Sequence, residues 1–177
     1  VLRVGKGFTV WLTGLPGAGK TTTARGLEHA LKTKGLRVEV LDGDEIRKAL
    51  SPEAGFSRED RERHIRRVAH VSKLLARNGV AVIVSLVSPY RSVREHARRE
   101  IRNFVEVWVK CPLETCIQRD PKGLYKKALA GELENMTGIQ DPYEEPLNPE
   151  VVVDTEAEPP EACVEKILNK LRELDYC

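Results

Sequence analysis

The stretch Gly14-Leu15-Pro16-Gly17-Ala18-Gly19-Lys20-Thr21 concentrates residues that can handle phosphate. It fits G-x-x-x-x-G-K-[ST], in which glycines let successive backbone N–H groups turn inward around phosphate oxygens. Gly14, Gly17, Ala18 and Gly19 would form that cradle. Lys20 can reach the β- and γ-phosphates of ATP, and the Thr21 hydroxyl can ligate Mg²⁺. Thr22 comes next, in the first turn of the following helix, whose N-terminus favours anions. The alternative is a plain glycine-rich turn between a strand and a helix.

A second cluster is Asp42-Gly43-Asp44-Glu45-Ile46-Arg47. Two aspartates separated by one glycine can divide labour. Asp42, nearer the preceding strand, can hold Mg²⁺ or its water. Asp44 can orient or deprotonate a hydroxyl. Capping of a helix is the alternative role for both. Arg47 lies one helical turn beyond Asp44 and can meet a second anion. Many phosphate-loop ATPases carry their Mg²⁺-linked Asp at the end of another hydrophobic strand. Here that strand ends in Ser85, with no carboxylate.

These residues need a scaffold, and the chain reads as alternating strand and helix. Strands are expected at Phe8–Leu12, Arg37–Leu41, Val80–Val84, Phe104–Val109 and Val151–Val153. A helix from Thr22 to Lys34 buries Ala24, Leu27 and Leu31, and Gly35 stops it. Ser57 with Asp60 three residues on is a capping-box pattern. It opens a helix with the stripe Ile65, Val68, Ala69, Ser72, Leu75. Ser88-Pro89 predicts a helix with Pro at its first position, and Pro112 does the same for Leu113 onward. The last helix spans about Glu161 to Leu174. The alternation implies a parallel sheet covered by helices on both faces, with right-handed crossovers. Ligands then gather at the carboxyl ends of the strands.

The span 119–149 breaks the rhythm. It holds Arg119, Lys122, Lys126, Lys127, Gly131, Gly138 and four prolines. A long insertion before the last strand reads as an active-site lid, which phosphoryl transfer needs to keep water from the γ-phosphate. A surface hairpin with solvated lysines is the alternative.

Composition agrees with a globular chain: 177 residues, 41% hydrophobic and 32% charged. Residues 1–177 read as one domain. Net charge is only +2 but uneven, with 12 Lys+Arg against 5 Asp+Glu over 57–102, and 3 against 13 over 131–177. A basic middle suits an anionic ligand. Little aromatic interleaving and no binding motif argue against nucleic acid. No apolar run is long enough for a bilayer and no signal peptide is visible, so a cytoplasmic location without a membrane partner is expected. Cys111, Cys116, Cys163 and Cys177 lack metal spacing and read as buried or incidental thiols.

The sequence resembles the adenylylsulfate kinase family across nearly all of its length. The resemblance runs through the phosphate loop, Leu41 to Arg47, Gly55-Phe56-Ser57-Arg58-Glu59-Asp60-Arg61 with Ile65-Arg66-Arg67, and Ser88-Pro89-Tyr90-Arg91. It continues through Arg119 to Ala128 and Thr137 to Glu144. It implies a P-loop kinase fold: an α/β three-layer architecture with a five-stranded parallel sheet and a helical lid. It implies transfer of the γ-phosphate of ATP to the 3′-hydroxyl of adenylyl sulfate, with Mg²⁺. By resemblance Phe56 stacks on the adenine, and Arg47 and Arg61 hold the phosphosulfate end. Val87 and Ser88 line the pocket, Lys122 reaches across from the lid, and Arg119 serves ATP. Stacking on an aromatic face and oxyanion capture by arginine forks make these roles physically sensible.

Three positions depart from the family's pattern. His64 stands where Asn is usual, Met136 where an aromatic residue is usual, and Pro16 replaces the Ser of Leu-Ser-Gly. Met136 would cover a purine with less stacking. His64 would donate as Asn does, with a charge that depends on pH. A homodimer and a functional link to ATP sulfurylase are compatible with this reading. Two other readings stay open: a P-loop kinase for another small anion or nucleoside, and a non-catalytic nucleotide-binding module of a fused sulfate-activation protein.

Overall fold

The computed structural model describes residues 5–177. Residues 1–4 of the expected domain lie outside the described region. Among these described residues five strands, β1 (Phe8–Thr13), β2 (Val38–Asp42), β3 (Ala81–Ser85), β4 (Phe104–Lys110) and β5 (Val151–Asp154), form one sheet in the order β2-β3-β1-β4-β5. Every pairing is parallel. All five lie within a residue or so of the expected positions, and β1 and β3, buried along their whole length, are the clearest apolar runs.

Among the described residues seven helices connect and cover the strands: α1 (Lys20–Thr33), α2 (Gly43–Leu50), α3 (Arg58–Arg77), α4 (Arg91–Glu100), α5 (Leu113–Arg119), α6 (Leu124–Leu129) and α7 (Pro160–Glu173). Side chains alternate across a strand, so the inner strands feed two cores. Val10, Leu12, Ile83, Val105 and Val107 pack with Leu27 and Leu31 of α1 and Ile167 and Leu171 of α7. Trp11, Val82 and Val84 pack on the other face with Ile65, Val68 and Ala69 of α3 and Val93 and Ala97 of α4. Truncating one such residue, Leu27→Ala for example, should cost about 2–5 kcal/mol.

The expected Ser57 cap forms: its hydroxyl accepts from the Asp60 N–H at 3.1 Å. Ser88-Pro89 does not start a helix. α4 begins at Arg91, with Tyr90 as its cap residue. The physical reason is tertiary. Glu144, from the far end of the 119–149 span, accepts from the Arg91 N–H at 2.9 Å and supplies the cap. Ser88 has φ 45° and turns the loop.

In the 119–149 span only α6 and the end of α5 are helical. A bridge joins Thr137 to Asp141, and the rest is irregular. Its base is anchored, with Tyr125, Ala128, Met136 and Thr137 buried. All four thiols are free, three of them buried.

Candidate active site

β1 lies between β3 and β4, so chain reversals on either side of it open a crevice at its carboxyl end. The phosphate loop fills that position. Gly17 has φ 78° and Gly19 φ 98°, a left-handed backbone that a side chain would strain. Gly19 is the cap residue of α1 and has no side chain to satisfy the helix's first N–H groups, which leaves them for an anion.

A cavity of about 950 Å³ extends from this loop along the strand ends. Its walls include Gly17, Gly19, Lys20, Thr21, Thr22, Asp42, Asp44, Arg47, Phe56, Arg61, His64, Val87, Ser88, Arg119, Lys122 and Met136. Two expected residues do not line it. The Gly14 carbonyl instead accepts from Lys20 Nζ, and Ala18 packs in the core.

Lys20 is almost fully buried and its ammonium donates to the Gly14 and Leu15 carbonyls, both at 2.8 Å. Burial pushes its pKa down to about 8, against partial support from Cys116 and Asp42 and with a further push from Lys122. Asp42 ends β2 and has two tasks. One oxygen accepts from the Gly43 N–H at 2.8 Å and caps α2; the other lies 3.5 Å from Thr21 Oγ1. The cap of α2 and the contact with Thr21 therefore coexist in one carboxylate.

Asp44 stands in the first turn of α2 and pairs with Lys122 Nζ from the loop before α6. Arg47, one turn on, donates to the Ala54 and Gly55 carbonyls. Its guanidinium lies 4.5 Å from the centre of the Phe56 ring. Phe56 is 53% exposed, so it is not a core residue. Arg61 turns toward the 119–149 span, with Asp141 at 3.2 Å, Thr137 Oγ1 at 3.0 Å and the Asn135 carbonyl as partners. Met136 lines the cavity but also packs into the core beneath it.

The expected pH-dependent charge on His64 is corrected by its surroundings. Burial, then the charges of Arg47 and Arg67, push its pKa down to about 4, so the ring is neutral near pH 7. Ser51 Oγ accepts from Arg67 at 3.1 Å and lies 2.8 Å from His64 Nδ1. Ser51 Oγ can donate to Nδ1 or accept from it, so the contact fits either ring tautomer, and the other ring nitrogen is Nε2. That atom has no partner among the described residues. The ring thus stays neutral near pH 7 and keeps one nitrogen without a partner among the described residues.

Two further contributors, Thr155 and Tyr125, are not among the residues expected from the sequence. Thr155, just after β5, donates to the Ala18 carbonyl at 2.6 Å and accepts from Arg119 at 3.2 Å. It therefore positions the residue expected to serve ATP. Its place one residue beyond a strand's carboxyl end was the available signal, shared with the other loops that build the site. Tyr125 hydroxyl donates to the Pro16 carbonyl at 2.7 Å, tying α6 to the phosphate loop. No local pattern signals that contact.

Comparison with known proteins agrees with this geometry. Residues 6–154 match the adenylylsulphate kinase family. The chain is 56% identical to the adenylyl-sulfate kinase of Rippkaea orientalis, over 97% of this chain and 94% of the relative. It is 54% identical to a probable bifunctional SAT/APS kinase of Sorangium cellulosum, over 96% of this chain but 29% of that longer protein. The APS kinase CysC of Mycobacterium tuberculosis, solved in complex with AMPPNP and APS, superposes with a TM-score of 0.91 at 40% identity, over 95% of this chain and 99% of that one. Sequence match, strand order and cavity converge: the chain belongs to the adenylyl-sulfate kinase family.

Proposed function

We infer that the chain transfers the γ-phosphate of ATP to the 3′-hydroxyl of adenylyl sulfate. The observation that carries this reading is the continuous cavity that joins the phosphate loop to Asp44, Arg47, Phe56 and Arg61. The 3′-oxygen attacks the γ-phosphorus in line, the bond to the β–γ bridging oxygen breaks, and ADP leaves. Asp44 receives the hydroxyl proton. Lys20 and the α1 N-terminus hold the phosphates, and Arg119 supports the ATP side.

Thr21 and Asp42 present adjacent hard oxygen donors, which suits Mg²⁺ held mainly by phosphates and water. Thr21 and Asp42 would hold the ion, which would supply positive charge against the charge that develops on the transferring phosphoryl group. Phe56 stacks on the adenine, Arg47 and Arg61 take the phosphosulfate end, and His64, Val87, Ser88 and Met136 complete the pocket. Residues 119–149 act as the lid and bring Lys122 to the transferring group. An enzyme that adenylylates sulfate must supply the acceptor, which is the chemical basis of a link to ATP sulfurylase.

Mixing the protein with ATP, Mg²⁺ and adenylyl sulfate and following ADP tests the reading. ADP formation that requires adenylyl sulfate supports it. ADP formation with other small hydroxy acids or nucleosides, but not with adenylyl sulfate, overturns it.

A further inference from the structure

The loop Leu86-Val87-Ser88 after β3 has every carbonyl engaged from inside the protein. Ser88 Oγ donates to the Leu86 carbonyl at 3.1 Å and accepts from Trp11 Nε1 at 2.9 Å. Thr13 Oγ1 donates to the Val87 carbonyl at 2.7 Å, and so accepts from the Tyr143 hydroxyl at 2.9 Å. Arg94 Nη1 donates to the Ser88 carbonyl at 2.5 Å.

All peptide bonds here are trans. In a trans peptide the N–H points opposite to the preceding C=O. With the Leu86 and Val87 carbonyls turned inward, the Val87 and Ser88 N–H groups must point away from those internal donors. Neither finds an acceptor among the described residues. Both residues line the cavity. Pro89 comes next and brings no N–H of its own. The loop therefore offers the cavity donors, not acceptors.

Ser88 holds φ 45°, a conformation that non-glycine residues adopt only when their surroundings enforce it. Arg94 is an enforcing group, since it holds the Ser88 carbonyl. It lies in α4, is 1% exposed, and is paired with Glu106 of β4 at 3.1 Å. Besides the Ser88 carbonyl it donates to the Glu144 carbonyl, and its guanidinium lies 5.7 Å from the Tyr143 ring centre. One buried cation thus fixes the cavity wall and the return leg of the 119–149 span together. A solvated helix arginine would do neither.

We propose that Arg94 is a positioning residue for the acceptor site. It holds Ser88 in its left-handed conformation so that the Val87 and Ser88 N–H groups meet acceptor atoms of the bound substrate. The proposal rests on adenylyl sulfate being that substrate. A fork that serves two carbonyls and a carboxylate at once has no lysine equivalent.

Removing Arg94 alone would strand the buried Glu106 carboxylate. The test therefore uses the paired variant R94M/E106L, with R94K as the conservative partner. In R94M/E106L the KM for adenylyl sulfate should rise about tenfold, while ATP binding by calorimetry stays within about twofold and the melting temperature changes little. R94K should fall between this variant and the wild type. An unchanged KM for adenylyl sulfate in R94M/E106L overturns the proposal. So does a parallel loss of ATP binding and adenylyl sulfate binding with a large fall in melting temperature, since Arg94 would then be purely structural. Failure of the substrate reading looks different: the wild type would bind ATP and not adenylyl sulfate.

Discussion

Lys122, on the loop before α6, donates to the carboxylate of Asp44 in the first turn of α2, joining positions 78 apart in sequence. Both side chains are mostly exposed, at 60% and 72%. A pair this exposed contributes about 0–1 kcal/mol, so a ligand oxygen can displace either partner. The contact brings the ammonium and the expected base to one point without locking them there.

Asp44→Asn keeps shape and hydrogen bonding but removes basicity. Turnover should fall by about 10²–10⁴-fold, toward the low end if the transition state is loose and little proton transfer is needed early. ATP affinity should stay within about twofold. Lys122→Met should lower turnover by on the order of 10²-fold. Steady-state kinetics with calorimetric ATP titration checks both. Wild-type turnover in Asp44→Asn would remove Asp44 from the chemistry.

Asp42 offers a way to separate its two tasks. Asn caps helices as well as Asp does, so Asp42→Asn should keep α2 intact. It should still raise the Mg²⁺ concentration needed for half-maximal rate, because a charged ligand is lost. Asp42→Ala should shift the Mg²⁺ requirement similarly and also lose about 1 kcal/mol of stability. Denaturation curves and Mg²⁺ titrations of the two variants decide. If Asp44→Asn moves the Mg²⁺ requirement and Asp42→Asn does not, the two aspartates are assigned the wrong way round.

Phe56→Ala should weaken adenylyl sulfate binding by roughly 1–3 kcal/mol, the worth of a base stack. ATP binding should hold. The exposed ring packs on the Arg47 guanidinium and not in the core, so the melting temperature should move little. A large drop in melting temperature would instead make Phe56 a packing residue.

The elements that position this site were legible because their signals are local. Apolar runs mark β1 and β3, and Ser57 with Asp60 marks the start of α3. The phosphate loop is a contiguous motif. The features that failed to read are built by distant partners. Ser88-Pro89 looks like a helix start, but Glu144 caps α4 from 53 residues away. The partners of Arg61, Asp141 and Thr137, come from across the fold and leave no local signal beside it. His64 looks titratable until burial and two arginines hold it neutral. In each case the residue type was read correctly and its environment was not, since environment is set by packing.

The neutrality of His64 has a consequence for pH. Its pKa in the folded chain, about 4, lies below its ordinary value of 6.5. The unfolded chain therefore binds more protons between those values, and stability falls as pH drops from 6.5 to 4. His64→Asn removes this titration. The wild type should lose stability relative to His64→Asn over that range, and the two should run parallel above pH 7. The KM for adenylyl sulfate should show no inflection from His64 between pH 6 and 8. An inflection near 6.5 that vanishes in His64→Asn would mean the ring charges in the working enzyme.

Lys20 titrates on the opposite side of neutrality. Burial holds its pKa at about 8 in the ligand-free chain, below the ordinary 10.5. At pH 9 most of the ligand-free ammonium groups have lost their proton. ATP brings negative charge to the same place, and the phosphates are fully ionised well below that pH. An adjacent anion favours the charged lysine, so the pKa rises on binding. Binding at pH 9 should therefore take up nearly one proton, while binding at pH 7 should take up almost none from Lys20. By linkage, ATP affinity should fall by up to about tenfold per pH unit above pH 8. Calorimetry in buffers of different ionisation enthalpy measures the uptake directly. Lys20→Met should abolish it, lower turnover by on the order of 10²-fold or more, and leave the fold intact. Its methylene stem still fills the space beside the loop, and the Gly14 and Leu15 carbonyls lose one donor between them. Absence of proton uptake by the wild type at pH 9 would mean that Lys20 stays charged behind its two carbonyls, and that it does not respond to the phosphates.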